Sequence, residues 1–466
     1  MLPGLRPNSN GEPVATLQFF DVRKGPGPQD TILIQSHDVF RIGRFATSND
    51  LVIGGDTDAA VSRNHCELYS IVYEANLCHV FVRDRQSVNG TYVNNVYVGQ
   101  GPDITPGYLL EDGDVIEIKP YWKFRYHQVA QCIESDLTPV QSGECESFSH
   151  QYKVTKRCLG QGSDGSVYLA LNTKTKKQLV CKVVDLDSLQ GKGRRGKDQR
   201  RRKLQETDIL RQLQHPNILA YVDAICSPHT LYTFTELASG GDLMSFFFRH
   251  ERIPEFDTRI IIRQIVRGLS YLHSKGIVHR DLKPENVLMA YSPSISHHRI
   301  VLADFGASAV SCRSRMLTSV GTLIYQAPEI ATKGVPQTSA VDIWSLGAIA
   351  LSMVSVEHGI PQDLRCQGQG VLDRFLKDAF DIPNPTPSLN ARKFVRSCLR
   401  ISPKQRISIS EAQSHPWLCT SEKHVEFFER LDERMLSNWH ANEQIRPLPW
   451  DLDNLIDVIA SQGELS

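Results

Sequence analysis

Along residues 14–128 the apolar positions fall in short runs rich in β-branched and aromatic side chains: ATLQFF, TILI, DLVI, HVFV, TYV and DVIEI. Turn-forming clusters separate them, at Lys24-Gly25-Pro26-Gly27-Pro28, Gly54-Gly55-Asp56, Asn89-Gly90 and Asp112-Gly113-Asp114. Many short strands punctuated in this way predict an all-β sandwich. Residues 129–151 lose all periodicity and carry Ser, Glu, Gln and Gly, which reads as a linker.

From Tyr152 the pattern changes. Strand-like runs come first, around a glycine-rich turn, and after about Phe246 helical spacing dominates, as in TRIIIRQIVRGLSYLH at 258–273. A strand-rich part followed by a helix-rich part predicts a two-lobed α+β domain over 152–418. A tail, 419–466, carries one amphipathic stretch, HVEFFERLDERML.

Composition narrows the function classes. The 466 residues suit two or three domains, and 41% hydrophobic with 22% charged residues is the balance of a folded chain. The 52 basic and 52 acidic residues cancel, so overall charge argues for neither nucleic acid nor an anionic membrane. Eleven cysteines without a CxxC pair fit neither a disulfide framework nor a zinc site. The N-terminal residues lack an apolar core of signal-peptide length, and no run reaches the ~18 apolar residues of a membrane helix. The expectation is an intracellular, soluble protein with reduced thiols and no membrane partner.

The candidate chemistry of the second domain is phosphoryl transfer, which asks for positioning, metal and neutralised charge rather than covalent steps. In LGQGSDGSVYLA, Gly160, Gly162 and Gly165 let backbone lie close over phosphates, and Val167 offers an apolar wall for a flat base. Lys182, in the apolar strand LVCKVV, is placed to bind phosphates and to pair with Glu206 of the following helix. IVHRDLKPENVL supplies Asp281 to orient an attacking hydroxyl, Lys283 to neutralise the moving phosphoryl group and Asn286 to hold a metal. LADFGAS adds Asp304 as the main metal carboxylate, and GTLIYQAPE adds Glu329, a partner for Arg406. Each alone reads equally well as a solvated loop charge; the ordered set does not.

Residues 152–418 thus resemble a eukaryotic protein kinase domain of the calmodulin-dependent kinase group, with HRDLKPEN pointing to serine/threonine specificity. The resemblance implies ATP and magnesium. It places Thr235 at the gatekeeper position and Glu236 to Ala238 at the hinge that hydrogen-bonds adenine. It puts Cys181 against the adenine ring. It makes Asp242 and Glu285 candidates for contacting an arginine three residues upstream of the target hydroxyl, with ATP-ribose or loop-structural roles as the alternative. It marks Thr318 and Thr322 as activation-segment phosphorylation sites. Between Lys182 and Glu206 the run GKGRRGKDQRRRK (Lys192 to Lys203 at its basic core) reads either as an import or anion-docking signal or as a solvated loop and helix start.

In the first domain three signals stand out: Gly43-Arg44, Ser62-Arg63-Asn64-His65, and Asn89-Gly90-Thr91 with Asn94. A phosphate reader needs a guanidinium fork and a hydroxyl or amide donor, which Arg44 and Ser62 supply. Asn89 is placed to hold peptide backbone, and His65 to brace the loop. With Gly113-Asp114 these resemble a forkhead-associated (FHA) domain, whose members bind phosphothreonine; Arg63 adds a candidate phosphate contact.

The combination resembles the checkpoint effector kinases and the meiosis-specific kinases of fungi. It implies a nuclear serine/threonine kinase recruited to a phosphothreonine-containing adaptor, with phosphorylation between two copies in a homodimer and no direct nucleic-acid contact. Only about sixteen residues precede the FHA region and Ser461-Gln462 is the sole Ser/Thr-Gln pair, which tilts the reading to the meiotic branch. The rivals are an FHA-bearing pseudokinase scaffold and a small-molecule kinase.

Overall fold

The computed structural model describes residues 12–439 apart from 37, 55–58, 75–76, 131–133, 163–164, 189–193, 251–252, 292–298, 306–322, 332–336, 356, 358, 383–384, 420–421 and 437–438. Thr318 and Thr322 lie outside the described residues.

Alternation of buried and exposed positions builds the N-terminal domain as two sheets. One has the order β2-β1-β11-β10-β7-β8, from β1 (Pro13–Asp21), β2 (Asp30–Gln35), β7 (Thr91–Val93), β8 (Val96–Gly99), β10 (Val115–Ile118) and β11 (Trp122–Gln128). The other is β4-β3-β5-β6-β9, from β3 (Val39–Gly43), β4 (Leu51–Val52), β5 (Cys66–Glu74), β6 (Leu77–Asp84) and β9 (Tyr108–Leu109). Leu17, Phe19 and Phe124 of the first sheet meet Ile42, Leu68 and Val82 of the second in one apolar core, as a sandwich of alternating strands must.

Residues 129–151 are more than a tether. α1 (Pro139–Phe148) begins at a capping box in which Thr138 and Gln141 exchange side-chain and backbone hydrogen bonds, with Pro139 in the first turn. It seats Phe148 on the outer face of the next sheet, edge-on to Tyr232 at 5.1 Å. That sheet is fully antiparallel, in the order β12-β13-β14-β16-β15: β12 (Tyr152–Gly162), β13 (Gly165–Asn172), β14 (Gln178–Asp185), β15 (Tyr221–Cys226) and β16 (Thr230–Glu236). α2 (Arg194–Gln212) crosses between β14 and β15.

The helical lobe follows. Ile261, Ile265, Leu269 and Leu272 of α4 (Glu255–Ser274) recur at helical spacing and are fully buried. α5 (Ala340–Val354) is buried almost all round, which makes it the lobe's central helix. Around them lie α3 (Leu243–Arg249), the hairpin β17 (Val287–Met289) and β18 (Ile300–Leu302), α6 (Gln369–Asp381), α7 (Leu389–Cys398) and α8 (Ile409–Gln413). The amphipathic stretch of the tail is α9 (Glu422–Leu436); it buries Phe428 and places Asp432 2.5 Å from Arg267 of α4. No described helix is long and apolar enough to cross a membrane.

Candidate functional site

Strand register sorts the cleft residues. Val167 pairs with Lys182, Lys182 with Thr233, and Val180 with Thr235, and cross-strand partners share a face. Val167, Val180, Lys182 and Thr235 therefore line one side of the sheet. Cys181 pairs with Tyr168 and Phe234 on the other side and is fully buried with them beneath α1. The expected place of Cys181 against adenine is thus corrected: successive strand residues face opposite ways, and Val180 shares the face of Lys182. Burial also pushes the Cys181 thiol well above the usual range.

Gly160 and Gly162 pair with Val167 and Gly165 across the turn that joins β12 to β13. Gly165 has φ +126°, and a Cβ there would meet the Val183 carbonyl oxygen at 2.4 Å, so only glycine fits. A Cβ on Gly160 would meet nothing within 4 Å. Beneath this flap Lys182 Nζ lies 2.7 Å from Glu206 Oε1 and 4.0 Å from Asp304 Oδ1. Glu206 also holds Lys203 at 3.3 Å, while Arg200 bonds the Leu186 carbonyl and Asp187. Those two members of the basic run are spent locally, which favours its structural reading there; the side chains of 191–199 lie outside what is described.

The loop between α4 and β17 is knotted by its own polar groups. Asn286 Nδ2 donates to the Asp281 carbonyl at 2.8 Å and to Asp281 Oδ2 at 3.2 Å, and Lys283 Nζ sits 2.9 Å from the same Oδ2. Asn286 thereby keeps its own Oδ1 as an acceptor. Asp304 stands at φ +62° and Arg280 at φ +68°, conformations that cost non-glycine residues energy and must be held from outside. The holder is Asp342 of α5. Its fully buried carboxylate accepts from the backbone N–H of His279 and of Arg280 at 2.8 Å each, and from His273 Nε2 at 2.8 Å. His279 in turn links to the Ala303 carbonyl at 3.1 Å, next to Asp304. Asp342 belongs to none of the motifs read from the sequence; its sole signal is an acidic residue in a first turn otherwise made of apolar side chains.

Glu329 and Arg406 pair bidentately at 2.6 and 2.7 Å, as expected, with Arg406 stacked over Trp344. At the segment expected to form the hinge, Arg299 clamps both carboxylate oxygens of Glu236 at 2.7 and 3.0 Å. Asp242 caps α3, accepting from Ser245 N–H at 2.7 Å, which is the loop-structural alternative for that residue. Glu285 differs: its Oε2 is buried without a hydrogen-bond partner among the described residues, and burial raises its pKa above the usual carboxylate range.

In the sandwich the phosphate-reading candidates gather at the loops flanking β3, β5 and β7. The Arg44 backbone N–H bonds the Ser62 carbonyl at 3.1 Å, and Ser62 Oγ accepts from Val88 N–H at 2.9 Å. His65 is fully buried. Its Nδ1 accepts from Ser62 N–H at 3.1 Å, so the proton sits on Nε2, which faces the Gly90 carbonyl at 3.2 Å. Burial holds the His65 pKa below the ordinary value, consistent with a neutral brace. Arg63 and Asn89 are exposed; the Asn89 amide donates to the carbonyls of Ala59 and Ala60 at 3.0 Å each. Asn94 bonds Asp114 and Val115 and so serves its turn. Two residues escaped sequence reasoning. Asn49 ties the carbonyls of Phe45 and Arg63 together, and buried Asp84 accepts from Ser87 and Thr91. Both sit between motifs and carry no pattern of their own.

A cleft under a glycine flap, with a paired lysine, two carboxylates and an amide, defines an ATP-dependent phosphotransferase. Residues 153–418 match the protein kinase domain model and residues 40–119 the FHA domain model. The meiosis-specific serine/threonine-protein kinase mek1 of Schizosaccharomyces pombe is 31% identical over 84% of this chain and 83% of its own length. The meiosis-specific serine/threonine-protein kinase MEK1 of Saccharomyces cerevisiae is 30% identical over 87% of this chain and 85% of its own. The probable serine/threonine-protein kinase fhkC of Dictyostelium discoideum is 29% identical over 84% of this chain and 64% of its own. The chain belongs to the protein kinase family, as a serine/threonine kinase that carries an FHA domain.

Proposed function

We propose that this kinase transfers the γ-phosphate of ATP to serine and threonine hydroxyls of protein substrates, and that its FHA domain recruits it to phosphothreonine on an adaptor protein or on a second copy of itself. The observation that carries the reading is the Lys182–Glu206 pair at 2.7 Å facing Asp304, above the Asp281–Lys283–Asn286 knot. A scaffold reading needs one of Lys182, Asp281 or Asp304 to be lost, and all three are present. Asp281 takes the substrate proton, Lys283 steadies the transferred group, and the backbone of Glu236 and Ala238 holds adenine.

Asp304 and Asn286 would hold magnesium, whose charge offsets that of the phosphates. Their oxygens suit this hard cation, which keeps other sites for phosphate and water.

Arg44, Ser62 and Arg63 contact the phosphate of the recruiting partner, and Asn89 its backbone. Activation-segment threonines, Thr318 first and Thr322 second, receive phosphate when two copies meet on one adaptor and local concentration rises. Two relatives named as meiosis-specific kinases support the meiotic branch; a nuclear location is part of the same proposal.

Arg44→Ala is expected to weaken binding of a phosphothreonine peptide by about a hundredfold or more, through loss of charge-assisted hydrogen bonds, while preactivated enzyme still phosphorylates a peptide. Titration of the purified variant checks this; retained affinity removes Arg44 from the site. A positional peptide array is expected to favour Arg three residues before the target, with Glu285→Gln cutting that preference about tenfold. An array indifferent to charge there refutes the role of Glu285.

A further inference from the structure

The FHA domain does not merely precede the kinase; it is seated across the hinge. On the kinase's strand lobe, the Gln178 amide bonds both backbone groups of Leu109, accepting at 2.7 Å and donating at 2.9 Å. On the helical lobe, Tyr69 Oη donates to the Tyr291 carbonyl at 3.2 Å and Arg249 donates to the Ser70 carbonyl. Between them Ser239, fully buried, accepts from Gly107 N–H at 2.7 Å and donates to the Tyr291 carbonyl at 2.9 Å. Tyr69, Ile71, Phe81 and Leu109 form one apolar cluster with Leu169, and Leu159 and Leu237 pack against it.

Apart from Arg249, each kinase contact lies a few residues from a group of the cleft. Leu159 precedes Gly160, Gln178 opens the strand that carries Lys182, and Leu237 lies between Glu236 and Ala238. Tyr291 ends the segment that begins at Asn286, and the backbone of 239–241 is already paired to that segment through Ala290 and Met289. Gly241 lies at φ +82° against Ile71, and a Cβ there would approach the isoleucine at 2.8 Å. A rigid sheet that bonds both lobes and covers the outer side of the chain joining them limits how far the lobes open. The phosphate-reading loops stay clear of this face: Arg63 and Asn89 are exposed, and Val88 is 72% exposed. A phosphothreonine partner can therefore bind without displacing the brace.

We propose that the β5–β6–β9 face of the FHA domain is a positioning element of the kinase, holding the hinge and the lobe separation at which ATP binds. The proposal rests on the assignment of 236–238 as the adenine-binding hinge. In the full-length preactivated protein, Ile71→Arg buries a charge against Gly241 and detaches the face. Amide hydrogen exchange at 237–241 should then quicken. The KM for ATP should rise about fivefold or more, with kcat within about twofold, as loss of ground-state binding requires. Phosphothreonine-peptide affinity should be unchanged, and Ile71→Val should behave as wild type. Should Ile71→Arg lose phosphopeptide binding through misfolding, Gln178→Ala, on the kinase surface, carries the test with the same expected rise. Unchanged KM, or hinge exchange no faster than in wild type, overturns the proposal. Failure of a non-hydrolysable ATP analogue to slow exchange at 236–241 in the wild type overturns the hinge assignment itself, and with it this inference.

Discussion

Asp304→Ala should reduce peptide phosphorylation by at least about a thousandfold, because metal-assisted neutralisation of phosphate charge is the largest single contribution to phosphoryl transfer. Asp304 faces Lys182 at 4.0 Å and follows Ala303, whose carbonyl is fixed by His279. Alanine at φ +62° is itself strained, so the change alone mixes two effects. Asp304→Asn separates them. Asparagine tolerates that backbone conformation and keeps the shape, but removes the charge. The asparagine variant should melt near the wild-type temperature, and both variants should keep phosphothreonine-peptide binding and lose turnover. Turnover within about tenfold of wild type in the asparagine variant would remove Asp304 from its role in holding metal.

The parts that were readable in advance are those whose partners lie close in the chain or whose chemistry demands a fixed local order. The glycine flap, the Asp281–Asn286 loop and the FHA motifs are contiguous strings. The Lys182–Glu206 pair followed because a strand and the next helix bring a lysine and a glutamate together in few ways. Cys181 went astray by one residue, and in a strand one residue is the whole difference between cleft and core. α1 was passed over because its few contacts, such as Phe148 on Tyr232, leave almost no periodic stripe; the Thr138–Gln141 spacing with Pro139 was the available signal. The brace across the hinge left no trace at all. Gly107 and Ser239 are 132 residues apart, and Tyr69 and Tyr291 are 222 apart. Tyr69 and Ile71 look like any alternating strand residues until their partner surface is known. Asp342 is a like case, since only the fold brings His273, His279 and Arg280 onto one carboxylate.

Asp342→Asn is expected to lower kcat by about a hundredfold, the scale of an ångström-sized misplacement of catalytic groups, though Asp342 touches neither nucleotide nor substrate. Its two oxygens divide three donors: Oδ2 takes His279 N–H and His273 Nε2–H, and Oδ1 takes Arg280 N–H. Asparagine has one acceptor oxygen, so in either orientation an NH2 group confronts a backbone N–H. Leaving one such buried donor unmet costs roughly 1–3 kcal/mol. In a domain of this size, at about 2–4 °C per kcal/mol, that lowers the melting temperature by about 2–12 °C. The protein therefore stays folded at assay temperature while the segment that sets Arg280 at φ +68° and leads to Asp281 loses its anchor. Positioning should suffer more than stability. Thermal melting beside initial-rate kinetics makes the comparison. A melting shift with kcat held within about twofold would leave Asp342 a packing residue and nothing more.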